Sequence, residues 1–282
     1  MIIATHGILA SAGAVIINPL LDDYPNAAAA YSLRKLRSAY TGSAIRVRNS
    51  SNSEADIGFV NNVLDTVSLL SHCGSGNGFV TTWYDQSGGG NNLTQSTAGN
   101  QPQIVSSGSV ITTLGGKPTC EFSGNQWIFK NWTFTISQPY TNISVNRYKS
   151  ITVPTNFPYI MRNQLGNDSN LSLMGSHIVG TTPKNRIYNG SDLNHSVNTS
   201  VNTNYLWFTI LNSTNSLLSI NNVSATGNAG TNSLTNGIVL GTYSSSTGQF
   251  NGFISEQIIW SSSQSANQTG IQSNINSYYG IY

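Results

Sequence analysis

The sequence predicts an all-β fold, a β-sandwich or jelly roll closed by one short helix. Three observations predict it. Only 8% of the 282 residues are charged, Gly occurs 27 times, and Asn, Ser and Thr are abundant while Glu, Lys and Met are few. This is the composition of short strands joined by tight turns under a polar, uncharged surface. Second, short apolar runs recur along the chain with clusters of Gly, Asn and Ser between them, as a two-layer sandwich requires. Third, near the C-terminus Ile271, Ile275 and Tyr278 stand at i, i+4 and i+7, which gives a polar helix one apolar face. A single sandwich reaches roughly 200–250 residues. Residues 1–30 therefore read as an N-terminal arm or first strand, and 31–282 as one domain.

The elements follow in order. Met1–Ala10 is apolar but has no basic stretch before it, and His6 and Gly7 interrupt it. It lacks the pattern of a signal peptide, and no run approaches the ~18 apolar residues of a membrane span. Asn18-Pro19 and Tyr24-Pro25 break the chain, and Ala27–Ala30 suits a short helix. Ala44–Val47 reads as a strand with Arg46 opposite Ile45 and Val47, and Ile57–Leu70 contains a helical turn. Phe79–Tyr84 is a buried strand, followed by short strands at Gln103–Val105, Val110–Thr113 and Pro118–Phe122. Strands are expected at Thr133–Ile136, Ser150–Val153, Tyr159–Arg162, Leu171–Met174 and Arg186–Tyr188. Tyr205–Leu211 and Leu217–Ile220 form a hairpin, and Asn221-Asn222 turns the chain again. Gly237–Gly241 and Phe250–Trp260 close the sandwich, and Ser261–Ser263 caps the final helix.

One motif stands out: Trp83-Tyr84-Asp85-Gln86-Ser87-Gly88, where a strand stops at an acid and enters a triple-glycine loop that returns through Asn91-Asn92. Upstream lies Tyr31-Ser32-Leu33-Arg34-Lys35-Leu36-Arg37, running on to Ile45-Arg46-Val47-Arg48. Together these segments resemble the laminin-G/concanavalin-A-like domains of bacteriophage virion proteins. They are also similar to the N-terminal part of the catalytic domain of the family 54 α-L-arabinofuranosidases, itself a β-sandwich. The last strand and helix add to the first resemblance, which covers residues 31–125 and 236–282, whereas 130–235 resembles no family.

The first resemblance implies a non-enzymatic virion structural protein, a capsid decoration, head fibre or tail component at the virion surface. Its partners would be other virion proteins, docked through residues 1–30, copies of itself in a homo-oligomer, and a host-surface glycan. The near-neutral charge of +2 argues against nucleic acid as a partner. The alternative is an arabinofuranosidase-like glycoside hydrolase or a secreted carbohydrate-binding module. A retaining glycosidase needs two carboxyl groups about 5–5.5 Å apart. The ten acids are Asp22, Asp23, Glu54, Asp56, Asp65, Asp85, Glu121, Asp168, Asp192 and Glu256. No two are paired by their spacing, although Glu121 and Glu256 both fall on strands. No catalytic residue is assigned.

The candidate sugar-stacking residues are Trp127, Trp132, Tyr140, Tyr148 and Tyr159, with core packing as the alternative for each. Asp85 either caps its turn by accepting N–H groups from Gly88–Gly90 or ligates calcium with loop carbonyls. No other cofactor is expected. His6, His72, His177 and His195 lack metal-ligand spacing. Arg34, Lys35, Arg37, Arg46 and Arg48 either grip an acidic partner or pair with Glu54, Asp56 or Asp85 inside the scaffold. Cys73 and Cys120 are either buried thiols or one disulfide.

Overall fold

The structure is a computed structural model that describes residues 18–151, 158–163, 170–241 and 248–282. Its strands begin with β1 (Ala27–Ser32), β2 (Ile45–Asn49), β3 (Glu54–Ile57), β4 (Phe59–Val60), β5 (Val63–Leu64) and β6 (Gly78–Trp83). They continue with β7 (Leu93–Thr94), β8 (Gln103–Ser106), β9 (Ser109–Val110), β10 (Cys120–Ser123) and β11 (Trp127–Lys130). The middle supplies β12 (Tyr140–Ser150), β13 (Tyr159–Asn163), β14 (Leu173–Val179), β15 (Thr182–Tyr188) and β16 (Asp192–Asn198). Then come β17 (Asn204–Leu211), β18 (Ser216–Ile220), β19 (Val223–Gly227), β20 (Ile238–Gly241) and β21 (Asn251–Trp260). Three helices accompany them: α1 (Leu20–Asp23), α2 (Thr66–Cys73) and α3 (Gln268–Tyr279).

All strands but β4 and β5 join one sheet that folds over into two leaves. One leaf runs β19–β18–β17–β12–β21, with β1 and β10 both pairing β21. The other runs β11–β20–β13–β14–β15–β16. The strands β2, β6, β7 and β8 connect them, and β16 packs back against β18 and β19. The predicted β-sandwich is therefore the observed fold. The core lies between the leaves, where Tyr140, Tyr148, Trp207, Ile254 and Ile259 meet Ile128, Met161, Met174 and Leu240. Alternation decides which residues enter it. Ile45 and Val47 are buried while Arg46 and Arg48, which alternate with them, face outward.

A second apolar layer covers the back of the first leaf. Ile143, Leu206, Phe208, Ile258 and Trp260 pack there against Leu20 and Leu21 of α1 and Ile271 and Ile275 of α3. Each Ile of α3 so buried contributes about 1.5–3 kcal/mol of transfer free energy. Coverage of both faces explains why nine of the ten residues of β21 are buried. In α3 the buried aromatic is Tyr279 rather than Tyr278, and the helix starts at Gln268 after Asn267 instead of at Ser261–Ser263. Asn221 and Asn222, both at positive φ (49° and 65°), make the predicted tight turn between β18 and β19.

Two expectations are corrected. Ala27–Ala30 is not helical: it begins β1, with Ala29 in the central core and Ala30 in the second layer. Pairing with β21 and the burial of Ala29 and Ala30 on opposite faces outweigh the helical propensity of alanine. The segment is thus part of the sandwich and not a free arm. Thr133–Ile136 forms no strand beyond a single bridge from Ile136 to Leu234. Residues 1–17, including Met1–Ala10, and 152–157, including part of the expected Ser150–Val153 strand, lie outside the described residues, and Ser150 itself ends β12.

Candidate functional site

The conspicuous loop proves to be a clasp. Trp83 is fully buried and meets Tyr31 edge-to-face at 6.5 Å. Tyr84 donates its hydroxyl hydrogen bond to Asp56 Oδ1 at 2.7 Å. Asp85 Oδ1 accepts the backbone N–H groups of Ala30 and Ser87, each at 2.9 Å. Its Oδ2 accepts the Ser87 hydroxyl at 2.8 Å and the Asn91 N–H at 2.9 Å. The capping donors are thus Ala30, Ser87 and Asn91 rather than Gly88–Gly90. Gln86 is fully buried, accepts from Leu36 N at 2.7 Å, and donates to the carbonyls of Ser32 and Arg34 at 2.9 and 3.1 Å. Gly88 takes φ of +96°, where a Cβ would stand 2.9 Å from Arg37 Nη1. This motif ties three chain segments together, and both carboxylate oxygens of Asp85 are engaged in doing so. Among the described residues no three His, Cys, Asp or Glu side chains form a metal-binding group.

The four arginines of the basic cluster likewise serve the scaffold. Arg46 pairs with Glu54 at 2.6 Å and Asp56 at 3.2 Å. Arg37 donates to Ser87 O at 3.0 Å, and Arg48 donates to Gln101 Oε1 at 2.8 Å. Arg34 reaches a more distant partner, Glu256, at 2.8 Å. Glu121 is paired instead with Lys149 at 2.5 Å, so Glu121 and Glu256 each have their own cation. Asp168 lies outside the described residues. Cys73 and Cys120 are both free and buried.

A row of charged and aromatic side chains lies on the outer face of the second leaf, with Arg162 and Arg186 themselves buried. Residues paired across antiparallel strands share a face. The pairs Trp127–Gly241, Phe129–Val239 and Val239–Arg162 start the row, and Arg162–Leu173 and Tyr159–Gly175 continue it. Next come Gly175–Arg186, His177–Lys184, Leu173–Tyr188 and Tyr188–Asp192. Ile128, Met174, Ile187 and Leu193 alternate with them and point into the core. The row crosses six strands, about 24 Å at 4.8 Å per strand.

At one end of this face Trp127 and Phe129 are half-buried with ring centres 5.0 Å apart. Tyr159 follows, 6.0 Å from the Arg162 guanidinium. At the other end Arg186 Nη1 lies 2.7 Å from Asp192 Oδ1, and His177 Nδ1 lies 3.9 Å from Asp192 Oδ2. Arg186 also stands 5.7 Å from the Tyr188 ring centre. Burial and the Arg186 charge lower the pKa of His177, against the opposing pull of Asp192, so its imidazole is neutral at pH 7. A carboxylate, a neutral imidazole and guanidinium donors beside half-exposed aromatic rings can bind a polyhydroxylated ring and move protons at it.

The structure sorts the aromatic candidates by exposure. Trp127 and Tyr159 lie on this face. Tyr140 and Tyr148 are fully buried and Trp132 is 6% exposed. Tyr140 donates or accepts at Ser172 Oγ, 2.7 Å away, and accepts from Asn189. These three belong to the core and offer no ring face for stacking. Sequence reasoning missed the grouping of His177, Arg186 and Asp192. The alternation within Lys184–Tyr188 puts Arg186 on one face, but the partners come from neighbouring strands whose register the sequence does not display. His195 is buried, its Nε2 at 2.9 Å from Val223 O, and has a structural role.

The fold defines a lectin-like β-sandwich, and comparison with known proteins gives the scaffold more narrowly. Residues 22–115 match the family model described as alpha-L-arabinofuranosidase B, catalytic. A probable alpha-L-arabinofuranosidase B of Aspergillus flavus is 38% identical over 127 residues, 39% of this chain and 25% of that relative. The crystal structure of an arabinofuranosidase complexed with arabinofuranosyl-alpha-1,2-xylobiose superposes with a TM-score of 0.71 at 16% identity, covering 90% of this chain and 63% of that one. A GH54 α-L-arabinofuranosidase soaked with a cyclic sulfate inhibitor gives 0.69 at 15% identity, with the same coverage. The chain has a β-sandwich similar to that of the family 54 arabinofuranosidase structures, and the sequence match to the catalytic-domain model is confined to residues 22–115. It spans a quarter of the length of the curated relative it matches and under two thirds of these solved chains.

These matches overturn the virion reading. The Tyr31–Arg48 and Trp83–Gly88 segments that suggested a phage structural protein lie within residues 22–115, which match a glycoside hydrolase catalytic domain. The expectations of a non-enzymatic protein, of a place on the virion surface, of virion partners docked through residues 1–30, and of a homo-oligomer fall with it. The two resemblances were inseparable by sequence because both rest on loops and strands that build the sandwich.

Proposed function

We propose that the chain acts as an arabinofuranosidase-like glycoside hydrolase, and that the outer face of β11–β20–β13–β14–β15–β16 receives the glycan. One observation carries the reading: Asp192, Arg186 and His177 share this face with Trp127 and Tyr159 on an arabinofuranosidase scaffold. Sugar rings stack their C–H faces on aromatic side chains, while guanidinium groups donate to hydroxyls. Hydrolysis breaks the anomeric C–O bond, gives the leaving oxygen a proton, and adds the oxygen of water to the anomeric carbon. Asp192 is the carboxylate that this face supplies for stabilising the positive charge that develops at that carbon. Asp168, between Asn163 and Asn170 in the chain, is the acid to test as its partner.

The test is release of 4-nitrophenol from 4-nitrophenyl α-L-arabinofuranoside, with each of the ten acids changed in turn to its amide. Turnover that falls by about a hundredfold or more in Asp192→Asn, a typical loss for a group that stabilises transition-state charge, supports the assignment. Turnover unaffected by D192N sinks the site, and no turnover by the wild-type chain under any condition sinks the hydrolase.

A further inference from the structure

We infer that a second, uncharged saccharide site adjoins this face, in the cavity beyond Tyr188. The cavity is a broad depression open to solvent, with a volume of about 540 Å³. Its polar lining comes from Tyr188, Ser191, Ser213, Asn228, Thr231 and Asn232, with no ionisable group except the tyrosine hydroxyl. Tyr188 stands directly opposite Asp192 on the neighbouring strand, so the cavity opens where the charged end of the face stops.

The walls are fastened to one another. Asn189 and Ser191 donate their N–H groups to Ala229 O at 2.7 and 3.1 Å, and Asn232 N returns to Asn189 O at 2.8 Å. The Gln138 amide joins three sections of the rim. Its Nε2 donates to Gly230 O at 3.0 Å and Asn232 O at 2.9 Å, and its Oε1 accepts from Ser213 N at 2.5 Å. Gly230 at φ +91° allows this closeness, since a Cβ would stand 2.2 Å from Asn189 O. A preformed wall loses little conformational entropy when a ligand arrives.

The lining selects the chemistry. An ionic ligand would shed hydration without meeting an opposite charge in the cavity. An apolar one would strip water from the lining hydroxyls and from the amide atoms other than Asn228 Oδ1 and Asn232 Nδ2, which Gly230 N and Leu171 O already engage. Hydroxyl and amide groups that both donate and accept, beside one aromatic ring, match a neutral sugar residue. The site extends the glycan face by a further ring of an oligosaccharide and rests on the glycan reading of that face.

The experiment is calorimetric titration of the intact chain with arabinotriose and with trigalacturonate as the charged control, alongside arabinoside turnover. Thr231 is exposed, so Thr231→Trp fills the cavity without disturbing the core, and Ser191→Trp is the second filling variant. The expected result is arabinotriose binding that weakens at least tenfold in both variants at an unchanged unfolding temperature. Equal affinity in wild type and both variants overturns the site, as does the absence of arabinotriose binding. Tighter binding of trigalacturonate overturns its neutral character. Turnover separates the two proposals. Turnover with no effect of filling on binding leaves the hydrolase and removes this site; filling-sensitive binding without turnover does the reverse.

Discussion

Arg34 and Glu256, 222 residues apart, form a buried two-point ion pair: Nε lies 2.8 Å from Oε2 and Nη2 lies 3.0 Å from Oε1. Their side chains are 4% and 0% exposed. Ser32 Oγ donates to the same carboxylate, and Arg34 Nη1 donates to Asn274 of α3 at 2.8 Å. The pair therefore links β1, β21 and the closing helix. Glu256→Ala leaves a guanidinium buried without its counter-charge, and the expected loss is about 3–5 kcal/mol of stability. The double change R34M/E256L is expected to recover much of it. Urea unfolding of the three variants tests this, and a loss below about 1 kcal/mol in E256A would contradict the account.

The clasp at Asp85 makes a second prediction. Asp85→Ala strands the N–H groups of Ala30, Ser87 and Asn91, at about 1–3 kcal/mol for each that stays buried and unpaired. Gly88→Ala costs roughly 1–2 kcal/mol through its left-handed backbone. Calcium is expected to leave the thermal midpoint of the wild type unchanged. A rise on adding calcium, abolished by Asp85→Asn, would place the ion at this position.

The cysteines make a third. Burial pushes both thiol pKa values up, most strongly that of Cys120. A thiol reagent at pH 8 is expected to find neither in the folded chain and both after denaturation, with no change in thermal midpoint on adding reductant. One reactive thiol in the native protein would contradict the burial of Cys73 or Cys120.

Stability is expected to decline on the acid side. Burial lowers the pKa of both His177 and His195 below the ordinary 6.5. The folded state then binds these protons less readily than the unfolded state. The stabilisation from the neutral rings is complete above pH 6.5 and is lost as pH falls through the depressed values. Urea midpoints between pH 8 and 5 should show a smaller acid-side decline in His195→Gln than in the wild type. An equal decline would assign the effect to other groups.

What the sequence by itself determined was largely local. Strand alternation placed Ile45 and Val47 inward and Arg46 outward, Asn221-Asn222 made its turn, and Ile271 and Ile275 put α3 on the sandwich. Each of these depends on residues within a turn or two of each other. The tertiary structure decided what depends on register between distant strands. It made Ala27–Ala30 a strand, because pairing with β21 buries Ala29 in the core and Ala30 against the second layer. It turned the Trp83–Gly88 motif from a candidate site into a clasp, because the donors to Asp85 come from both β1 and the loop. It also brought His177, Arg186 and Asp192 together from three strands, since cross-strand neighbours are set by hydrogen-bond pairing and carry no mark in any one segment.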